Sequence, residues 1–184
     1  MKKRWLGTAI LVLLASMLGG CGSGAEETKT LEAPDGSVQI DTPDGWEEDT
    51  SQEMPDYMVL SIGDGTGAFA QISYYPDDGS GDTAEELAQT LIDTYYMENV
   101  IGEIEEADIE GAEACYFEYS MVEEGVDGNN HNYHGYEYLI GFGLNIIEVD
   151  IFYSQSTLEG KLFSPSDDQL AQLRSIAETA RIRE

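Results

Sequence analysis

The stretch 133-YHGYEYLIGFGLNIIEVDIFY-153 decides the fold. Taken two residues at a time, it is two strands and a turn. Side chains along a strand alternate between its faces. Tyr136, Tyr138, Ile140 and Phe142 therefore share one face of the first strand, Tyr133 to Phe142. Ile147, Val149, Ile151 and Tyr153 share one face of the second, and Gly143-Leu144-Asn145 turns the chain between them. The second strand also carries Ile146 and Phe152 on its other face. Apolar residues on both faces predict a sheet covered on both sides, at least near its centre.

The pattern extends in both directions. Ala112 to Glu123 puts Cys115, Phe117, Tyr119 and Met121 on one face, and a polar loop, Gly125 to Asn132, follows. Ile101 to Ile109 is the most acidic strand and is expected toward an edge. Further upstream, Tyr57 to Ile62 and Ala68 to Tyr75 read as strands joined by Gly63-Asp64-Gly65-Thr66-Gly67. That glycine run has neither the lysine nor the strand-to-helix setting of a phosphate loop, so a hairpin turn is expected. Val38 to Asp41 is a short strand between two Pro-Asp-Gly turns, with Trp46 after the second.

Thr83 and Glu86 form a capping box at the start of a helix. Ala84, Leu87, Ala88, Leu91, Ile92, Tyr95 and Tyr96 keep the spacing of one buried face, and the helix is expected to fade near Asn99. A last helix is expected from Ser164-Pro165, with Leu170, Leu173, Ile176, Ala177 and Ala180 as its core stripe. Asp167 and Asp168 complement its N-terminus, and Arg181 and Arg183 its C-terminus. The class is α+β: an antiparallel sheet of about six to seven strands between helices.

The first residues have a different character. Lys2, Lys3 and Arg4 precede an uncharged run from Trp5 to Gly20, shorter than the roughly 20 residues that cross a bilayer. Residues 1–20 are expected to be a cleaved signal peptide. Leu18-Gly19-Gly20-Cys21 resembles the lipobox of bacterial lipoproteins. That resemblance implies cleavage before Cys21 and diacylation of its thiol, and two acyl chains anchor a protein stably. Residues 21–30 are expected to be a lipid-anchored flexible linker and 31–184 a single domain, on the extracytoplasmic side of the cell membrane.

Charge narrows the partners. The chain has 8 basic and 37 acidic residues, a net charge of −29. Without residues 1–20 five basic residues face the same 37 acids, a charge of −32. Nucleic acid, polyphosphate and anionic lipid all need Lys and Arg patches and are not expected as partners; cations and cationic partners are favoured. Beyond Cys21 only Cys115 remains, so no internal disulfide forms. Inside an apolar strand, Cys115 reads as an inert buried thiol.

The search for chemistry finds no catalytic residue. There is no Gly-x-Ser-x-Gly elbow, and among 37 acids close carboxylate pairs arise by chance. The specific candidate is a divalent-metal site of Asp127, His131 and His134, since imidazole and carboxylate suit zinc or similar ions; the alternative is a solvated hairpin tip. No other cofactor is expected. Asp77 to Asp82 hints at calcium but misses the EF-hand pattern, with Ala88 where the loop's final Glu belongs. Tyr95, Tyr96, Tyr119, Tyr136, Tyr138 and Tyr153 fall on core-facing periods, which favours packing over a glycan surface.

Two stretches resemble the PsbP-like fold. Val38-Gln39-Ile40-Asp41-Thr42-Pro43-Asp44-Gly45-Trp46 is similar to its opening strand and Pro-x-Gly-Trp turn, and Ile109-Glu110-Gly111-Ala112-Glu113-Ala114 to its entry to the strand after the helix. The resemblance implies an α/β/α sandwich, a fold also found in a photosystem II extrinsic protein, a Ran-binding nuclear factor and small bacterial lipoproteins. Most relatives are non-catalytic. The expectation is therefore a non-enzymatic binding or accessory protein of the cell envelope, with another envelope protein as partner. No metal or partner residue of those proteins has a matching motif here.

Overall fold

The alternating strands find their partners in a computed structural model that describes residues 28–50, 57–76, 81–124, 129–157 and 165–183. Thr28–Glu32 (β1), Val38–Pro43 (β2), Glu47–Glu48 (β3), Met58–Gly63 (β4) and Ala68–Tyr75 (β5) precede the helix Ala84–Leu91 (α1). Val100–Ala107 (β6), Glu113–Glu124 (β7), Asn130–Phe142 (β8) and Asn145–Thr157 (β9) follow it. The helix Asp167–Ala177 (α2) and Arg181–Ile182 (β10) come last. One antiparallel sheet has the order β3-β4-β5-β9-β8-β7-β6, and a smaller one the order β1-β2-β10. The acidic β6 lies at an edge, as its composition predicts.

Both faces of the large sheet are covered. On one, Tyr138, Ile140, Ile147 and Ile151 pack with Leu173 and Ile176 of α2 and with Val38 and Ile40 of β2. On the other, Phe117, Tyr119, Leu139, Ile146 and Phe152 pack with Ala84 and Ala88 of α1. Burying a side chain of this size stabilises by about 1.5–3 kcal/mol, so the two layers hold the sheet between them. The Gly63–Gly67 run is a hairpin turn. Asp64 Oδ1 accepts the amides of Thr66 (2.7 Å), Gly67 (3.1 Å) and Ala68 (3.0 Å) across it.

Several elements depart from expectation. The helix opened by the Thr83–Glu86 box ends at Asn99, as expected, but it is α-helical only as far as Leu91. After Leu91 it widens into a π turn, Ile92–Tyr96, and then tightens into a 3₁₀ turn, Met97–Asn99. The wider turn breaks the 3.6-residue phase, so Tyr96 points inward and Tyr95 is 68% exposed. β1 begins at Thr28, inside the expected linker, and pairs along β2 from Thr28–Pro43 to Glu32–Gln39. α2 starts at Asp167 behind a second capping box, Ser166 with Gln169, so Pro165 stands outside the helix. Arg183 does not serve the end of α2, and Arg181 reaches only the Thr179 carbonyl just past its C-cap (3.0 Å). The Thr179 hydroxyl bonds back to the Ile176 carbonyl (2.7 Å) as the helix ends, and the chain then joins β2 as β10. There Arg181 forks onto both carboxylate oxygens of Asp41 (3.0 Å each), and Arg183 reaches Glu32 (2.6 Å).

Candidate functional site

Three acids sit in the two most apolar strands, on the face beneath α1. Glu137 of β8 stands directly opposite Asp150 of β9, and Glu148 is two positions from Asp150 on the same face. Each carboxylate accepts a hydrogen bond from a tyrosine on a different element. Tyr96 of the π turn donates to Glu137 Oε2 (2.6 Å), Tyr119 of β7 to Asp150 Oδ1 (2.5 Å), and Tyr75 of β5 to Glu148 Oε2 (2.5 Å). The π turn is what brings Tyr96 into this set, seated on the rings of Phe117 (5.0 Å) and Tyr119 (4.6 Å). Glu137 is 1% exposed, and its second oxygen, Oε1, is buried without a partner among the described residues.

Burial raises the proton affinity of all three carboxyls. For Glu137 the charges of Asp150 and Glu148 add to it, and the Tyr96 hydroxyl opposes it. Asp150 is pushed up to about 7 by burial, against the Tyr119 bond and with the charge of Glu148. Glu148 moves the same way by burial, opposed by Tyr75. Desolvation, reinforced by the same carboxylates, pushes Tyr75, Tyr96 and Tyr119 upward, so they stay protonated donors.

Above these groups a cleft of about 670 Å³ opens between the α1 segment and strands β5, β7 and β9. Glu148 and Asp150 line it, together with Tyr75, Tyr96, Tyr119 and Tyr133. Tyr133 packs edge-on against Phe152 at 5.5 Å. Tyr57 and Tyr95 also line it and are 54% and 68% exposed. Among the described lining residues there is no Lys, Arg, His, Ser or Cys.

The opposite face treats its tyrosines differently. Arg174 of α2 places its guanidinium 4.6 Å from the ring centre of Tyr116 and 5.7 Å from that of Tyr136, and its Nε donates to the Tyr138 hydroxyl (3.3 Å). There the chain supplies its own cation.

The two histidines of the metal candidate are not drawn together. β8 begins at Asn130, so His131, expected in the polar loop, is a strand residue like His134. Three positions apart, they project to opposite faces. His134 is buried toward the α2 side, its Nε2 2.8 Å from Glu118 Oε1. Asp127 lies outside the described residues, and no group of three His, Cys, Asp or Glu among those described is placed to hold a metal ion. Cys21, the signal segment and most of the calcium-like run, Asp77 to Ser80, also lie outside them. Cys115 is buried, and burial pushes its thiol up to about 11, which keeps it an unreactive thiol. No described helix is long and apolar enough to cross a membrane.

No family model matches the chain, and no curated protein is significantly similar to it in sequence. Solved structures are similar in shape. Cyanobacterial PsbP (CyanoP) from Synechocystis sp. PCC 6803 has a TM-score of 0.55 at 15% identity, covering 90% of this chain and 99% of that one. The Ran-binding protein Mog1p from Saccharomyces cerevisiae has a TM-score of 0.53 at 10% identity, covering 86% and 96%. LpqN of Mycobacterium tuberculosis, involved in cell envelope biogenesis, has a TM-score of 0.41 at 12% identity, covering 86% and 91%. With an antiparallel sheet held between α1 on one face and α2 on the other, the chain has the PsbP-like fold.

Proposed function

We propose that this protein is a lipid-anchored, extracytoplasmic binding protein that acts as an accessory to another envelope protein and catalyses no reaction. The observation that carries the reading is the cleft beneath α1: concave, aromatic, open at Tyr57 and Tyr95, with its carboxylates already engaged by tyrosine hydroxyls. Polar groups locked against each other on rigid strands suit preorganised binding. Exposed rings at a cleft mouth suit contact with a partner. The anchor rests on Leu18-Gly19-Gly20-Cys21, and its lipid would hold the cleft close to the membrane.

Fractionation of cells making the wild type and Cys21→Ser, combined with photo-crosslinking from position 95, tests both parts. The wild type is expected in the membrane fraction and Cys21→Ser outside it. The crosslinker is expected to capture one envelope protein reproducibly. A cleaved Cys21→Ser chain still in the membrane fraction would overturn the anchor, and repeated failure to capture a specific partner would overturn the accessory role.

A further inference from the structure

The two faces of the sheet pose a contrast. Tyr116, Tyr136 and Tyr138 on the α2 side share the guanidinium of Arg174. Tyr75, Tyr96, Tyr119 and Tyr133 on the α1 side surround Glu148 and Asp150, with no basic residue among the described lining. Behind the cleft floor, Glu137 keeps a buried oxygen without a partner among the described residues, directly opposite Asp150. The side richer in buried carboxyl groups is thus the side for which the described residues supply no cation.

The cleft's chemistry defines what fits. Ring faces attract positive charge through their quadrupole, and carboxylates through Coulomb attraction strengthened by burial. Tyr75 and Tyr119 each occupy one oxygen, Glu148 Oε2 and Asp150 Oδ1, leaving the second oxygen of each carboxylate for a ligand. Calcium and magnesium want six or more oxygens, zinc wants a tetrahedral set built on His or Cys, and the walls are mostly rings without either. About 670 Å³ lies within the usual range for small-molecule sites. We propose that this cleft binds a small organic ammonium ion, its nitrogen over Asp150 and Glu148 and its alkyl groups against the tyrosine rings and Phe152. The proposal rests on reading the cleft as the binding site. It does not depend on the lipid anchor or on a protein partner.

A ligand cation and a proton compete for Asp150. The described titratable groups around it are Glu137 and Tyr133 of β8, Glu148 of β9, Tyr119 and Glu123 of β7, Tyr75 of β5, Tyr57 just before β4, and Tyr95 and Tyr96 of the π turn; the described lining of α1 is Leu87, Thr90 and Leu91. None of these is basic, so lowering the pH removes negative charge from the cleft.

The test is calorimetric titration of the full-length protein, solubilised in a neutral detergent, with choline chloride and with 1,4-diaminobutane at constant ionic strength. Saturable one-to-one binding of at least one probe is expected at about pH 8, weakening about tenfold or more near pH 5.5. Asp150→Asn is expected to weaken it about tenfold or more, and Tyr95→Ala severalfold. Tyr95 is exposed, so its loss leaves the fold intact. Glu105→Gln, on the edge strand outside the cleft, is expected to bind like the wild type. No saturable heat with either probe would overturn the proposal. So would unchanged binding in both Asp150→Asn and Tyr95→Ala, or equal displacement of the probe by potassium at the same concentration. Any of these results would leave the membrane-fraction and crosslinking outcomes to judge the accessory reading separately.

Discussion

Replacing Asp150 with Asn should stabilise the protein at alkaline pH and do little in acid. Asn has nearly the same shape, and its carbonyl can still accept the Tyr119 hydroxyl now held by Asp150 Oδ1. The difference is that Asn never ionises. Burial pushes Asp150 up to about 7 in the fold, against the ordinary 3.8 of an aspartate. At about 1.4 kcal/mol per unit this is about 4 kcal/mol. Because the side chain reaches the cleft, water recovers part of it, and about 2–4 kcal/mol is expected. Between pH 4 and 7 the native state holds a proton that the unfolded chain has already released. Stability is therefore full below about pH 4 and falls as pH rises through about 7. Glu137 and Glu148 shift in the same direction and add to the fall. Asp41, whose carboxyl Arg181 holds below its ordinary value, works with the opposite sign, but its contribution is lost only at more acid pH. Thermal unfolding followed by circular dichroism from about pH 4.5 to 8.5 measures this. For a domain of this size the variant should melt roughly 5–12 °C above wild type at pH 8 and nearly level with it at pH 4.5. A difference that does not change with pH, or a wild type more stable at pH 8 than at pH 5, would refute the reasoning.

Two further substitutions probe the backbone. Gly135→Ala should destabilise by about 3 kcal/mol or more, read as a lower urea midpoint. Its new Cβ would stand 2.1 Å from the Ile151 carbonyl oxygen and 2.5 Å from the Phe152 Cα, backbone atoms that cannot swing aside. An unchanged midpoint would show that β8 and β9 can part without cost. Met97→Gly should raise stability by about 1 kcal/mol in the same assay. Met97 is largely exposed and sits at φ +42°, ψ −113°, a conformation glycine adopts freely. A loss of stability would mean that the side chain's contacts outweigh the strain.

What the sequence makes legible is what repeats or caps. The long strands announce themselves through alternation, and the Thr83–Glu86 box through two polar residues three apart ahead of an apolar face. β3 and β10 are two residues each, too short for any period, and β10 exists only because β2 offers it an edge. The π turn is hidden for a related reason: an extra residue per turn is a response to packing on Phe117 and Tyr119 and leaves no local mark. The cleft had a signal that abundance masked. Among 37 acids no pair looks special. But Ile146 and Phe152 already place the α1 face of β9 under cover, and that face must then bury Glu148 and Asp150 between them. An acid inside a strand that is apolar on both faces is informative however many acids lie elsewhere. The histidines misled in the opposite way. Polarity around Asn130 reads as loop, yet Asn130, His131 and Asn132 pair in register with Thr157, Ser156 and Gln155.

The pairing of β10 with β2 also fixes an order of events. Ile182 meets Val38, Arg181 meets Gln39, and the Arg181–Asp41 fork spans 140 positions of chain. Closing a loop of that length costs about 4 kcal/mol of chain entropy before any contact repays it. A chain that emerges N-terminus first, from a ribosome or through a secretion pore, cannot complete the small sheet until Arg181 and Ile182 are out. Until then β2 has an unpaired edge, and its Val38 and Ile40 lack the cover of α2. The domain therefore reaches native stability only once Arg181 and Ile182 have emerged, and its unfinished form in transit is the one most open to proteases and to chaperones.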